Sequence, residues 1–277
     1  MDLCIQPSLL WNRAKLAART TDLSQSARRT PETNGQIEVC NMGYQERIGR
    51  LAETFQPRQE WWSRVFATPV ANMILAMVAD CPRITPNRLT FLSFFLTIAT
   101  SVLVFSGDSL SIIVAGMVLQ VAYIVDCMDG QLARYRKTTS KRGSFYDKWS
   151  DVVKFPFVLA ALALAAFNRS NSVLPVVLGL VCVFLTVYLP YLKLFADREF
   201  GIRLWGGLSG AGFLQRNLRF FLFEEAQWYL LVSVSLLANY PLSGLILIAS
   251  TQGLVAIART WHVFRLVSIM PDATRDE

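Results

Sequence analysis

The chain has 277 residues, 53% of them hydrophobic, and a mean hydropathy of +0.37. That excludes an ordinary soluble domain, in which apolar residues make up roughly 45–50% even with glycine counted, and predicts an all-α, polytopic membrane protein. Lys and Arg (27) exceed Asp and Glu (20), a net charge of +7; in a membrane protein this excess points to loops facing anionic headgroups and phosphate-bearing substrates, not to nucleic acid.

The five cysteines, Cys4, Cys40, Cys81, Cys127 and Cys182, are scattered, with no CxxC pair. An odd count in this pattern argues against a disulfide framework. The only histidine, His262, leaves no basis for a His-rich metal centre or for a Ser-His-Asp triad built on an earlier histidine. A lone, late histidine reads as structural.

Residues 1–57 form a polar extension without sustained periodicity, expected to be disordered or weakly ordered. No secretory h-region is present, and Met42 is an alternative start. Met42-Gly43 lacks the Ser or Thr that a myristoylation signal needs. Residues 58–80 predict an interfacial amphipathic helix, with Trp61, Trp62, Val65 and Phe66 near one face and Pro69 bending it or starting a new segment.

Six spans are expected over residues 84–266, with a polar tail at 267–277. Thr85 suits the N-cap of the first, Pro86 its first turn, and apolar residues continue to Phe105. About 20 residues at 1.5 Å each match a hydrocarbon core of about 30 Å. The second span starts near Leu110 and turns polar at Asp126; a loop with Arg134, Arg136, Lys137, Lys141 and Arg142 follows. The third carries Asp147 and Asp151, then runs apolar from Val152 to Phe167, with Pro156 placed to open or kink it. The fourth covers about 173–195, and a polar stretch with several arginines and glycines occupies 196–218. The last two cover about 220–239 and 242–265, joined at Asn239-Tyr240-Pro241. The loops after spans two and four hold the positive charge, while the opposite turns hold only Arg169. The basic side, with both termini and the aspartates, is expected to be cytoplasmic.

Residues 126–151 are the part of the chain least suited to a membrane. They hold four carboxylates, Asp126, Asp129, Asp147 and Asp151, at the junction of two apolar segments. A carboxylate at the centre of a membrane helix costs about 2.5–3.5 kcal/mol on insertion scales. The 126/129 pair is three residues apart and the 147/151 pair four, so each lies on one helical face. Four carboxylates at close quarters call for cations, and a donor set of oxygens alone selects Mg²⁺ or Mn²⁺, with room for two ions. Gly130, Ala133 and Gly143 leave space for a ligand, and Arg134 can grip a phosphate. The bland alternative is a charge network pinning spans two and three together, with Arg134 neutralising an aspartate. Four acids against one nearby arginine leave that network unbalanced.

The spacing D-x2-D-G-x2-A-R-x8-G-x3-D-x3-D resembles the signature of the CDP-alcohol phosphotransferases at all eight fixed positions: Asp126, Asp129, Gly130, Ala133, Arg134, Gly143, Asp147 and Asp151. The six-span layout is similar to that family over about residues 58–265. The resemblance implies that the four aspartates bind two divalent ions and that Asp151 is also the general base. It implies a CDP-alcohol pocket lined by Gly130, Ala133, Arg134 and Gly143, with Ser140, Asn87 and Thr90 reaching the nucleotide. The reaction it implies is transfer of a phosphoalcohol from a CDP-alcohol, foremost CDP-diacylglycerol, to a small alcohol acceptor, with CMP leaving. Arg198, Arg203, Arg216 and Arg219 are candidates for an acceptor phosphate, and homodimers occur among such enzymes. A soluble CDP-polyol donor with an inositol-phosphate acceptor shares the signature. From other classes, a transporter would need acids recurring through the bilayer, and a noncatalytic scaffold would not need all eight motif positions.

Overall fold

The computed structural model describes residues 43–54, 61–202, 204 and 225–270. Among them there is no strand. The helices are α1 (Tyr44–Glu53), α2 (Thr68–Val78), α3 (Pro86–Phe105), α4 (Ser109–Tyr135), α5 (Lys141–Ser170), α6 (Leu174–Phe200), α7 (Glu225–Leu237) and α8 (Pro241–Val267). Contacts divide the chain into residues 1–47 and residues 48–277.

Five helices, α3, α4, α5, α6 and α8, are long and apolar enough to cross a membrane. Of the remaining expected span, 220–239, residues 220–224 lie outside the described residues, and 225–239 form the 13-residue α7 and a turn. Large apolar side chains such as Phe95, Phe184, Leu254 and Ile257 point outward, as a lipid-facing surface requires.

The predicted helix ends follow their local chemistry. Thr85 caps α3 by accepting the amide of Arg88 at 3.4 Å, and Asp108 caps α4 by accepting that of Ser111 at 2.9 Å. The C-terminus of α4 stops abruptly. Lys137 takes a left-handed conformation (φ 54°), its amide bonds Arg134 O, and the Thr138 amide reaches back to Ala133 O at 2.8 Å. This paired closure usually has glycine at the left-handed position. Pro156 lies inside α5, whose 30 residues run unbroken from Lys141 to Ser170.

Along the interior, α5 packs on α3 and α6, α7 packs on α4, and α8 packs on α6. Ala161, Ala163, Ala165 and Ala166 of α5 are buried within the chain. A Cβ added to Gly179 of α6 would lie 2.5 Å from the Ala163 Cβ, so these two helices approach to the limit that small residues permit.

The segment before the first span is more ordered than its composition suggests. Residues 61–78 are helical as expected, but through a π-helical turn at Ser63–Ala67, after which Pro69 sits in the first turn of α2. Within the stretch expected to be disordered or weakly ordered, α1 forms a helix whose Leu51 is 1% exposed. Leu51 packs with Ala71 and Leu75 of α2 and Leu132 of α4. Burying such a leucine stabilises by about 1.5–3 kcal/mol. Ile48 and Leu51 are too few to register as a period in the sequence, which is why the helix escapes notice there. Residues 1–42 and 271–277 lie outside the described residues.

Candidate active site

The site lies where three helix ends meet. Helices α3 and α4 run antiparallel across the tight turn at 106–108, so their residues pair in opposite order. Thr90 of α3 donates its hydroxyl to Asp129 Oδ2 of α4. Three residues further along α3, Ser93 donates to Asp126 Oδ1 at 3.0 Å, three residues back along α4. The i, i+3 spacing of the aspartates is thus matched by an i, i+3 pair of hydroxyls, and each carboxylate keeps oxygen capacity for another partner.

Helix α5 brings the third carboxylate. Asp126, Asp129 and Asp147 each offer one oxygen, and these three oxygens lie within 4.8 Å of one another. A hard, all-oxygen donor set of this kind fits Mg²⁺ or Mn²⁺. Asp147 is the most open of the three, with its side chain 36% exposed and Lys148 3.3 Å away.

A cavity of about 340 Å³ opens over these oxygens. Its lining includes Asn87, Thr90, Asp126, Asp129, Gly130, Ala133, Arg134, Ser140, Gly143 and Asp147. Ten predicted site residues from three helices therefore face one space. Ser140 caps α5, accepting the Gly143 amide at 3.0 Å. A Cβ on Gly143 would come within 3.3 Å of Ser140 Oγ and 3.5 Å of Asn87 Oδ1. Gly130 has a more specific use than open space: a Cβ there would meet the Arg134 guanidinium at 3.2 Å. Arg134 also donates through Nε to Thr54 O at 3.1 Å, beyond the end of α1.

Asp151 does not join the other three carboxylates. Its side chain is 14% exposed, and Lys154 Nζ approaches its Oδ1 at 2.9 Å. The same ammonium lies 2.8 Å from Asp126 Oδ1. Lys154 is fully buried, with its ammonium 5.3 Å from the ring centre of Phe155 and 5.8 Å from that of Tyr229. Sequence reasoning set four acids against Arg134 alone and missed this cation: its i, i+3 spacing from Asp151 is local, but its burial and its pairing with Asp126 are not. Ser93 was missed as well, because a single serine in a membrane helix is unremarkable without its partner.

Arg198 is exposed in the last turn of α6 and is not part of the cavity lining. Arg203, Arg216 and Arg219 lie outside the described residues. His262 is exposed on α8, away from the lining. The α2–α3 loop is held by Arg136, which donates to Ala79 O, Cys81 O and Ile84 O at 2.5–2.9 Å. That clamp fixes the chain just before Asn87 and Thr90.

A bundle of long apolar helices with a carboxylate-floored cavity at one end is the architecture of a multi-pass membrane protein. The chain belongs to the CDP-alcohol phosphatidyltransferase family, whose model matches residues 83–264. It is 26% identical over 179 residues to an archaetidylinositol phosphate synthase of Pyrococcus horikoshii, covering 65% of this chain and 83% of that one. It is also 34% identical over 87 residues to a bifunctional IPC transferase and DIPP synthase of Thermococcus kodakarensis, covering 31% of this chain and 19% of that one. In fold it is similar to the phosphatidylinositol phosphate synthase of Mycobacterium tuberculosis, solved with CDP-DAG bound. There the TM-score is 0.53 at 20% identity, covering 72% of this chain and 94% of the other. A second structure of that enzyme, in complex with manganese and citrate, matches equally well, at TM-score 0.53 and 20% identity over 72% of this chain and 89% of the other.

Proposed function

We propose that the protein transfers a phosphatidyl-type group from a CDP-alcohol, CDP-diacylglycerol in the first place, to the hydroxyl of a phosphorylated polyol of the inositol-phosphate class, releasing CMP. The observation that carries this reading is the convergence of Asp126, Asp129 and Asp147 beneath a cavity lined by the rest of the motif. The donor class is supported by the family and by the lipid nucleotide bound in the mycobacterial structure. The acceptor class is supported by the names of the Pyrococcus and Mycobacterium relatives.

Asp126, Asp129 and Asp147 would hold Mg²⁺ or Mn²⁺ in this reading. Such an ion would supply positive charge to offset the negative charge that develops on the diphosphate. Thr90 and Ser93 orient two of the ligating carboxylates from behind, as hydrogen-bonding partners of metal ligands do. Arg134 grips the diphosphate, and Gly130 keeps its guanidinium close to the helix. Asn87, Ala133, Ser140 and Gly143 shape the nucleotide end. The acceptor oxygen forms a bond to the phosphorus next to the donor alcohol, and the bond from that phosphorus to the CMP oxygen breaks. The acceptor proton passes to Asp151, at Oδ2, because Lys154 engages Oδ1. The lipid donor enters sideways from the bilayer, and the site faces the cytoplasm on the basic side of the bundle.

The test is CMP release by the purified full chain with Mn²⁺ or Mg²⁺ and CDP-diacylglycerol, against inositol phosphate, glycerol phosphate, serine and inositol. Release only with inositol phosphate is expected, with loss on chelation and recovery on adding metal back. Release with a different acceptor would keep the reaction and overturn the acceptor. The bifunctional relatives favour one second reading, a soluble CDP-polyol donor. Release with that donor and none with CDP-diacylglycerol would establish it.

A further inference from the structure

We infer that the Lys154 ammonium occupies one of the two cation positions of the aspartate cluster, so that the protein binds one divalent ion per chain instead of two. The inference rests on the proposed metal site and concerns how many ions that site takes.

Two carboxylate oxygens decide the matter. Lys154 Nζ lies between Asp126 and Asp151, 2.8 Å from Oδ1 of the first and 2.9 Å from Oδ1 of the second, so a positive charge already stands where a second ion would bridge these two carboxylates. Those are the separations of charge-assisted hydrogen-bonding partners. Lys154 is fully buried, and the two rings beside its ammonium, Phe155 and Tyr229, pack on each other and on buried Trp228 and Tyr123. The rings of Phe155 and Tyr229 present their faces to the charge at 5.3 and 5.8 Å, which favours a cation held in that place. Withdrawing it would leave a charge among rings without its carboxylates, a far costlier state. Asp126 therefore serves both cations. Its Oδ1 takes Lys154 and Ser93, while its place in the three-carboxylate group serves the divalent ion. Asp151 is left to the lysine side, which accounts for its separation from the other three.

The experiment is Mn²⁺ binding to the full-length protein in detergent, followed by equilibrium dialysis with elemental analysis and by electron paramagnetic resonance. One Mn²⁺ per chain at saturation, with the six-line signal of an isolated ion, is expected. Two per chain with a spin-coupled signal would overturn the inference while leaving the metal site intact. No binding at all would sink the metal site itself, and the inference with it. A Lys154→Met variant, similar in length but uncharged, is expected to take up a second ion and show the coupled signal. If it folds and still binds one, the lysine is not standing in for a cation. If it does not fold, the wild-type stoichiometry and spectrum decide the question alone.

Discussion

Helix α5 has two halves that follow different rules. From Lys141 to Pro156 it carries Asp147, Lys148, Asp151 and Lys154, and one of these charges is fully buried. From Phe157 onward it presents Ala161, Ala163, Ala165 and Ala166 to its neighbours and leaves almost no space at Gly179. The first half is shaped by what it must bind, and it spends stability to hold charges away from water. The second half is shaped by how closely another helix must approach, and its residues have no chemistry of their own. Changes at the cavity-lining carboxylate of the first half, Asp147, should therefore alter reaction and binding at nearly constant stability. Changes in the second half should do the reverse.

The largest effect should come from Asp147→Asn. It removes one carboxylate of the three that converge, and CMP release should fall on the order of 10³-fold, as when a preorganised charge-stabilising group is lost. Thermal stability should hold or rise slightly, because one of several like charges is gone. A thermal shift assay on the same preparation checks both halves of the expectation. Thr90→Val, across on α3, should be milder. It removes the hydroxyl behind Asp129, so Mn²⁺ affinity should weaken roughly 10–100-fold. Excess metal should then restore most of the rate, which a titration of CMP release against Mn²⁺ would reveal. Failure of excess metal to rescue would mean that Thr90 touches the substrate itself.

Gly179→Ala probes the second half from its partner helix. The added methyl would sit 2.5 Å from the Ala163 Cβ, so α5 and α6 must separate. A loss of about 1–3 kcal/mol is the usual cost of overpacking a tight core. Turnover per folded molecule should stay within about twofold, measured at a temperature where both proteins remain folded. The double variant Gly179→Ala, Ala163→Gly should recover much of the stability, because the two sites share one contact.

The same division explains what was legible in the sequence. The pairing of Asp126 with Asp129 could be read because spacing on a helix fixes a face, and the helices are regular; the separation of Asp151 from the other three could not. Span lengths and the Thr85 cap were legible for the same reason. Lys154 was hidden because a lysine near the polar end of a span is ordinarily a headgroup contact; only its neighbours Asp126, 28 residues earlier, and Tyr229 make it a buried one. The end of α4 was hidden because Lys137 stands where a glycine would have announced a left-handed closure. Arg136 read as one more positive charge in a loop, yet its donors hold three carbonyls of the chain that leads into α3. In each case the decisive partner is distant in sequence, and no local pattern encodes it.

The smallest effect should come from Arg169→Ala, and it is the sharpest check on the independence of the two halves. Arg169 lies in the last turn of α5 and donates to Asn239 O and Asn239 Oδ1, both at 2.8 Å, tying the helix to the α7–α8 turn. The turn does not depend on that tie. Asn239 is left-handed (φ 61°), its amide bonds Leu236 O at 2.9 Å, and the Tyr240 amide bonds Ser235 O at 2.8 Å, so the backbone closes α7 by itself. Both partners are also open to water, which replaces the lost bonds. Stability should change by no more than about 0.5 kcal/mol, and CMP release should be unchanged. A drop in turnover well beyond twofold, at unchanged stability, would mean that the far end of α5 sets the position of Asp147 and Asp151. The helix would then act as one rigid lever, and the division between its halves would describe composition alone.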